Sequence, residues 1–199
     1  MGLVTLVSGG VDSILMSLLA REEGIDLFPL FVDYGQLCVD REWKACSALH
    51  KKYRLPKPRR MNLSGFGGLI ESGLTTKRLR INEDAFLPGR NSLFLLVGAS
   101  YACQVHADAV AIGILTEEHH LFPDQTSAFV RSCEETFEIA LGKKVALLTP
   151  LIKFSKADVL QLAKKKNISG TYSCHAGGPK PCGKCVSCVE VLKAQAEKE

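Results

Sequence analysis

The stretch Leu3-Val4-Thr5-Leu6-Val7-Ser8-Gly9-Gly10-Val11-Asp12-Ser13 decides the fold. Its first five residues form the short apolar run of a strand buried on both faces. Two glycines then turn the chain. Val11 to Glu23 takes helical spacing, with Ile14, Leu15, Leu18 and Leu19 on one face and Gly24 as the stop. A strand that passes through a glycine turn into a helix opens a βαβ unit. The turn Ser8–Ser13 has the chemistry of an anion cradle. Glycines let backbone N–H groups approach closely, Ser8 and Ser13 supply hydroxyl donors, and the helix N-terminus adds partial positive charge. The string is neither GxGxxG nor GxxxxGK[ST], since no Lys follows the glycines. Asp12 suits a phosphate site only as a magnesium ligand or as a contact to the loop backbone.

Outward from this turn, strand-like and helix-like segments alternate. Leu27–Val32 reads as a second strand, with Pro29 expected near its start. Asp40–Tyr53 reads as a helix and Arg60–Leu63 as a third strand. Ser64–Gly89 is irregular, and loops of that length are functional or mobile. Asn91–His106 is apolar nearly all round, which predicts a buried helix. Ala109–Ile114 is a fourth strand, Ser127–Leu141 a helix and Val145–Leu148 a fifth strand. Ser155 and Asp158 form a capping box at the start of the last strong helix. The alternation predicts one α/β domain over 1–199, an open, mostly parallel doubly wound sheet of about five strands with helices on both faces. Ligands of such sheets bind beyond the carboxyl ends of the strands. That rule marks Ser8–Ser13, Asp33–Gln36, Gly113–His120 and Pro150–Lys156 as the site loops.

Composition narrows the class. The chain is 46% hydrophobic and 23% charged, with 25 Lys+Arg against 21 Asp+Glu, a net charge of +4. That balance is ordinary for a folded protein and weak for a nucleic-acid binder. No apolar run approaches the ~20 residues that span a bilayer. The N-terminal stretch carries no basic leader, and Leu6 breaks the myristoylation pattern, so a cytoplasmic chain is expected. Eight cysteines are many for such a chain. Cys38, Cys46, Cys103 and Cys133 are scattered. Cys174, Cys182, Cys185 and Cys188 cluster as C-x7-C-x2-C-x2-C, which makes 172–190 a C-terminal zinc element. Two-residue gaps let thiolates converge on one ion, and Gly183 relaxes the turn. Four thiolates match a closed tetrahedral site that performs no chemistry. A disulfide framework is the rival account, but it needs export. His175 adjoins the first ligand, where four sulfurs already fill the site.

SGGVDS at a first strand-to-helix turn resembles the pyrophosphate-binding loop of the adenine-nucleotide alpha-hydrolase (PP-loop) superfamily. Within it, FVDYGQ (Phe31–Gln36), PGRN (Pro88–Asn91), TPLIKFSKAD (Thr149–Asp158) and YSCHAGGPKPCGKCVSC (Tyr172–Cys188) are similar, in order, to the QueC family of queuosine precursor synthesis. The resemblance implies an enzyme that adenylates a deazapurine carboxylate, lets ammonia displace AMP, and dehydrates the amide with a second ATP. It implies ATP, Mg2+ and Zn2+ as cofactors and a homodimer. Ser8, Gly9, Gly10, Asp12 and Ser13 would hold the phosphates and magnesium. Asp33, Gln36 and Gly113 would lie beside the nucleotide, Arg90 would bind phosphate or carboxylate, and Lys156 would meet the leaving pyrophosphate. Outside the FSKAD match, Lys156 reads as a surface lysine. Asn91 and Asp124 would contact the acid, with Asp124 on its guanine-like face.

One segment departs from the family. After the fourth strand QueC proteins carry a stretch resembling DYSGYPDCR, whereas this chain has Thr116-Glu117-Glu118-His119-His120-Leu121-Phe122-Pro123-Asp124-Gln125. His119 and His120 are expected either as general bases on the substrate or as exposed loop residues. The departure also motivates a second reading, in which a peptide or protein amine replaces ammonia. A tRNA-thiolating relative would need reactive cysteine pairs, but the CxxC pairs belong to the zinc cluster. A nucleotide-binding protein with a degenerate site is the non-enzymatic reading, and the intact SGGVDS opposes it.

Overall fold

The central strands alternate apolar residues toward two faces, and each face carries its own layer of helices. A computed structural model describes residues 1–116, 118 and 121–196. In chain order the elements are β1 (Gly2–Leu6), α1 (Val11–Glu22), β2 (Asp26–Asp33), α2 (Val39–Lys52), β3 (Arg59–Asn62), α3 (Ser64–Leu69), α4 (Arg90–Val105) and β4 (Ala109–Ala111). A short 3-10 turn (Pro123–Gln125), α5 (Ser127–Leu141), β5 (Ala146–Leu148), α6 (Lys156–Lys165) and α7 (Val186–Ala196) follow. The strands form one parallel sheet in the order β3-β2-β1-β4-β5. The chain runs outward from β1 to β3, then returns to set β4 on the other side of β1. That reversal opens a crevice beyond the carboxyl ends of β1 and β4.

Leu3, Ala109 and Ala111 face α1 and α6, where Ile14, Leu15 and Val159 are buried. Val4, Leu6, Val110 and Ile112 face α4 and α5, against Leu95, Ala99, Val130 and Phe137. Gly98 lets α4 settle onto β4, since a Cβ there would lie 2.8 Å from Val110 Cγ1. The Ser155 capping box forms as expected: Asp158 N donates to Ser155 Oγ at 3.2 Å, and Ser155 N donates to Asp158 Oδ2 at 2.9 Å. No helix among the described residues is long and apolar enough to cross a membrane.

Several expectations change. Pro29 sits inside β2 rather than near its start. Leu30 accepts from Val7 N on the β1 side, so Pro29 faces β3, and β3 begins pairing only at Leu30. The missing N–H therefore costs no ladder bond. Helix α4 is not buried all round: Leu96 and Ser100 are exposed. The 64–89 stretch contains α3 and is pinned, with Leu74 and Leu87 buried, Leu37 N donating to Leu74 O at 2.9 Å, and Arg78–Glu71 and Arg80–Glu83 ion pairs along it. β4 stops at Ala111, because Ile114 N turns back to Ile112 O at 3.0 Å and releases the chain into the crevice. Helix α7 carries no strong periodic signal of its own and starts within the cysteine cluster, holding Cys188 on its first turn.

Leu95 is fully buried between sheet and helices. Leu95→Ala should lower unfolding free energy by about 2–5 kcal/mol in denaturant titration. A loss below about 1 kcal/mol would contradict this packing.

Candidate active site

The phosphate loop is assembled by its own hydroxyls. Ser8 N donates to Ser13 Oγ at 3.2 Å, Ser13 Oγ donates to Gly10 O at 3.1 Å, and Gly10 N donates to Ser8 Oγ at 3.3 Å. Gly10 starts α1 without a side-chain cap, so the amides of the first turn are left for a ligand. Gly113, at the end of the β4 segment, lies against Asp12, with its Cβ position 3.4 Å from Asp12 Cβ. A bare residue there keeps the crevice open. Lys156, the first residue of α6, reaches across the crevice: its Nζ donates to Asp12 Oδ1 at 2.8 Å and Oδ2 at 2.7 Å. This lysine is not a solvated surface residue.

Two cavities meet at this loop, and Asp12, Gly113 and Gln125 line both. The wider, about 830 Å³, runs past Phe122, Lys156, Lys184 and Glu190. The deeper, about 240 Å³, lies over the ends of β1, β2 and β4 and is walled by Tyr34, Glu42, Arg90, Asn91 and His175. Arg90 stacks over the rings of Tyr34 and Phe94, at 5.8 and 6.0 Å, and its Nε is buried without a partner among the described residues. A guanidinium so held fits a ligand carboxylate or phosphate. His175 Nδ1 is likewise buried with no partner among the described residues. Burial, with the charges of Arg90 and Lys156, pulls that imidazole down to about 4. Its ring faces the cavity rather than substituting in the metal site.

The expected site residues fare unequally. Ser8, Asp12, Ser13, Arg90, Asn91 and Gly113 share the deep cavity, and Lys156 joins them through Asp12. Asp33 ends β2 but is taken: Arg60 Nη2 donates to it at 2.7 Å and Gly35 N at 3.1 Å. Gln36 lines the cavity with both ends engaged, accepting from Tyr34 N at 2.9 Å and donating to Glu42 Oε2 at 3.0 Å. Asn91 Nδ2 donates to the backbone Asp124 O at 2.9 Å, while Asp124 Oδ1 is buried with no partner among the described residues. Burial raises the Asp124 carboxyl, against the pull of Arg90 and of the Asn91 amide. His119 and His120 lie outside the described residues. Glu42 and Tyr34 went unread in the sequence; their signal was position, just after β2 and on the first turns of α2.

The cysteine cluster forms as its spacing predicts. The Sγ atoms of Cys174, Cys182, Cys185 and Cys188 all lie within 4.8 Å of one another. Backbone amides of Lys184 and Cys185 donate to Cys182 Sγ at 3.4 and 3.3 Å, and Gly183 takes φ 70° at the turn. Burial pushes the Cys182 thiol up, but these amide bonds together with those from the Cys174 and Cys185 thiols outweigh it and hold it at about 7. A buried four-thiol set with amide-bonded sulfur fits zinc. The element is stitched to the phosphate loop, because Tyr172 N donates to Gly9 O at 3.0 Å. Arg41 Nε donates to Gly177 O at 2.8 Å on the α2 side. Cys38, Cys46 and Cys133 are buried as small apolar groups.

The family model described as queuosine biosynthesis protein QueC matches residues 2–199. The chain belongs to the QueC family. It is 33% identical to 7-cyano-7-deazaguanine synthase 2 of Desulfitobacterium hafniense (strain Y51), across 98% of this chain and 88% of that protein. It is 32% identical to the 7-cyano-7-deazaguanine synthase of Acetivibrio thermocellus, across 98% and 92%. Among solved structures it resembles the U34-tRNA thiolase NcsA from Methanococcus maripaludis with its [4Fe-4S] cluster, with a TM-score of 0.58 at 16% identity, over 100% of this chain and 67% of that one. At that identity the likeness concerns the fold alone. As a QueC-family chain, this one carries the phosphate loop, the PGRN turn and the cysteine cluster in one connected arrangement.

Gly9 has φ 84°, and a Cβ on it would lie 2.7 Å from Glu42 O and 2.8 Å from Cys46 N. Gly9→Ala should therefore cost about 1–3 kcal/mol and abolish nucleotide binding in calorimetry. Gly24→Ala, at φ 72° with open space around it, should cost about 1 kcal/mol and leave binding intact. Equal behaviour of the two variants would contradict the loop packing. Stripping the metal with a chelator should lower the melting temperature and weaken nucleotide binding about tenfold, the equivalent of one lost hydrogen bond. Metal affinity should fall with pH, since protonation competes for the thiolates. Unchanged nucleotide affinity in the stripped protein would contradict the Tyr172–Gly9 link.

Proposed function

We infer that the chain is an ATP-dependent ligase that activates the carboxylate of 7-carboxy-7-deazaguanine as an acyl adenylate and converts it with ammonia to the amide, then to 7-cyano-7-deazaguanine. Family membership and the names of the relatives support the reaction. The observation that carries it here is the convergence of the Ser8–Ser13 loop, the Asp12–Lys156 pair and the unpartnered Arg90 Nε on one pair of joined cavities.

On this reading the nucleoside lies over the strand ends beside Val32–Gln36, and Gly113, bare on the wall of both cavities, leaves room for the phosphates. The amides of the first turn of α1, with Ser8 and Ser13, receive the β and γ phosphates. Lys156 moves from Asp12 to the pyrophosphate as negative charge builds on it, which frees Asp12 for the magnesium that enters with ATP. Arg90 holds the acid so that a carboxylate oxygen meets the α-phosphorus. Asn91 and Asp124 border the guanine-like edge, where the buried Asp124 Oδ1, with no partner among the described residues, suits ring N–H donors. Catalysis is positioning plus charge stabilisation: a carboxylate oxygen becomes an AMP leaving group, ammonia takes its place, and a second ATP activates the amide oxygen. The thiolate site holds zinc, which fastens the phosphate loop and takes no part in the steps. The partners are small molecules rather than nucleic acid, acting in the cytoplasm, and the family resemblance adds a homodimer.

Protein incubated with ATP, ammonium and 7-carboxy-7-deazaguanine should yield the nitrile by mass spectrometry, with AMP and pyrophosphate. Lys156→Ala should slow AMP release about 100- to 1000-fold, the usual effect of one preorganised donor. Lys153→Ala, on an exposed side chain, should not. AMP release by Lys156→Ala close to the wild-type rate would refute the assignment.

A further inference from the structure

Glu42 is the carboxylate on the wall of the deep cavity, among the described residues, that the reading above leaves without a task. Asp12, the other acid there, is occupied by Lys156. Glu42 is half-buried on α2 and fixed from two sides. Gln36 Nε2 donates to its Oε2 at 3.0 Å, and Gln36 is itself held by Tyr34 N at 2.9 Å and Val32 O at 3.4 Å. The backbone of Glu42 rests on the phosphate loop, where Gly9 offers no Cβ to displace it. The side chain therefore stands between the loop and Arg90, where the activated carboxyl of the acid must lie.

The titratable groups facing it come from four parts of the chain: Cys38 just before α2 and Cys46 on it, Tyr34 after β2, Arg90 on α4 and Tyr172 in the zinc element. Burial raises the Glu42 carboxyl, while Gln36, the Cys38 thiol and Arg90 pull the other way. A base held closer to neutrality is better matched to proton transfer.

The second half of the proposed reaction needs such a group. Near neutral pH the nitrogen source is ammonium, which has no lone pair with which to attack. The Glu42 carboxylate attracts the cation, and the Arg90 charge on the same cavity wall favours its neutral form, ammonia, once the proton has been given up. We propose that Glu42 is the general base that takes a proton from ammonium and releases ammonia onto the acyl adenylate. An N–H bond of ammonium breaks to the Glu42 carboxylate, and the freed electron pair forms the C–N bond at the acyl carbon. The C–O bond to AMP breaks with its pair leaving on AMP. The second surplus proton on nitrogen goes to water, and Glu42 returns its own proton to solvent. This role rests on the adenylation reading above.

The test compares ammonium with hydroxylamine, a nucleophile that is neutral near pH 7.5 and needs no base. With ATP and 7-carboxy-7-deazaguanine, Glu42→Gln should lose amide formation at least about 100-fold while hydroxamate formation stays close to wild type. Raising the pH, which supplies free ammonia, should restore its amide formation. Gln36→Ala, which keeps the carboxylate but unpins it, should shift selectivity in the same direction by less, and so covers a Glu42→Gln protein that fails to fold. Amide and hydroxamate falling together, neither falling, or the ammonium-specific loss appearing in His175→Asn instead would overturn the proposal. Failure of the adenylation reading looks different: the wild-type protein would then form neither hydroxamate nor AMP.

Discussion

The absence of a side chain at residue 9 is the constraint on which the rest of the site depends. Gly9 sits at φ 84°, against the backbone of α2 at Glu42 and Cys46, and its carbonyl accepts from Tyr172 N of the cysteine element. Three pieces of chain far apart in sequence therefore meet at one α-carbon: the phosphate loop, the helix that carries Glu42, and the metal element. A methyl group there would push α2 off the loop, and the loop could not hold its first-turn amides toward a ligand. Phosphate binding at a helix N-terminus needs those amides fixed in advance. Here the fixing comes from packing against Gly9 and from the hydroxyls of Ser8 and Ser13.

Charge is arranged around that fixed point. Lys156 arrives from α6, positioned by the Ser155 capping box, and pairs with Asp12 across the crevice. Arg90 arrives from α4, sandwiched by Tyr34 and Phe94, and keeps an unpartnered N–H. A buried guanidinium N–H without a partner is costly unless a ligand satisfies it. The cost is tolerable where a bound anion removes it, which makes Arg90 better suited to a ligand than to folding.

Much of this was legible in the chain because its signals are local. The β1-to-α1 turn, the Ser155 cap and the C-x7-C-x2-C-x2-C spacing each act over a few residues, and each forms as read. What was missed is tertiary. Nothing local says that Asp33 is spent on Arg60, twenty-seven positions away, or that both ends of Gln36 are used inside the protein. Pro29 was displaced toward the strand start because a proline inside a strand usually costs a ladder bond; β3 simply begins one residue later. Helix α4 looked buried all round because Leu96 matches its buried neighbours in type, although it faces outward. Glu42 looked like one more polar residue on an amphipathic helix, and only the sheet topology brings it to the crevice. The departure from the family between Thr116 and Gln125 falls partly outside the described residues; in the described part, Phe122 and Gln125 line the cavities.

The proposed chemistry makes a carboxylate oxygen into an AMP leaving group at this loop. The most direct measurement follows that oxygen. With 7-carboxy-7-deazaguanine labelled in its carboxylate with 18O, and ATP and ammonium supplied, one labelled oxygen should appear in each of the two AMP molecules released per nitrile, read by mass spectrometry. Label in inorganic phosphate, or AMP without label, would contradict adenylation of the acid and with it the proposed role of the site.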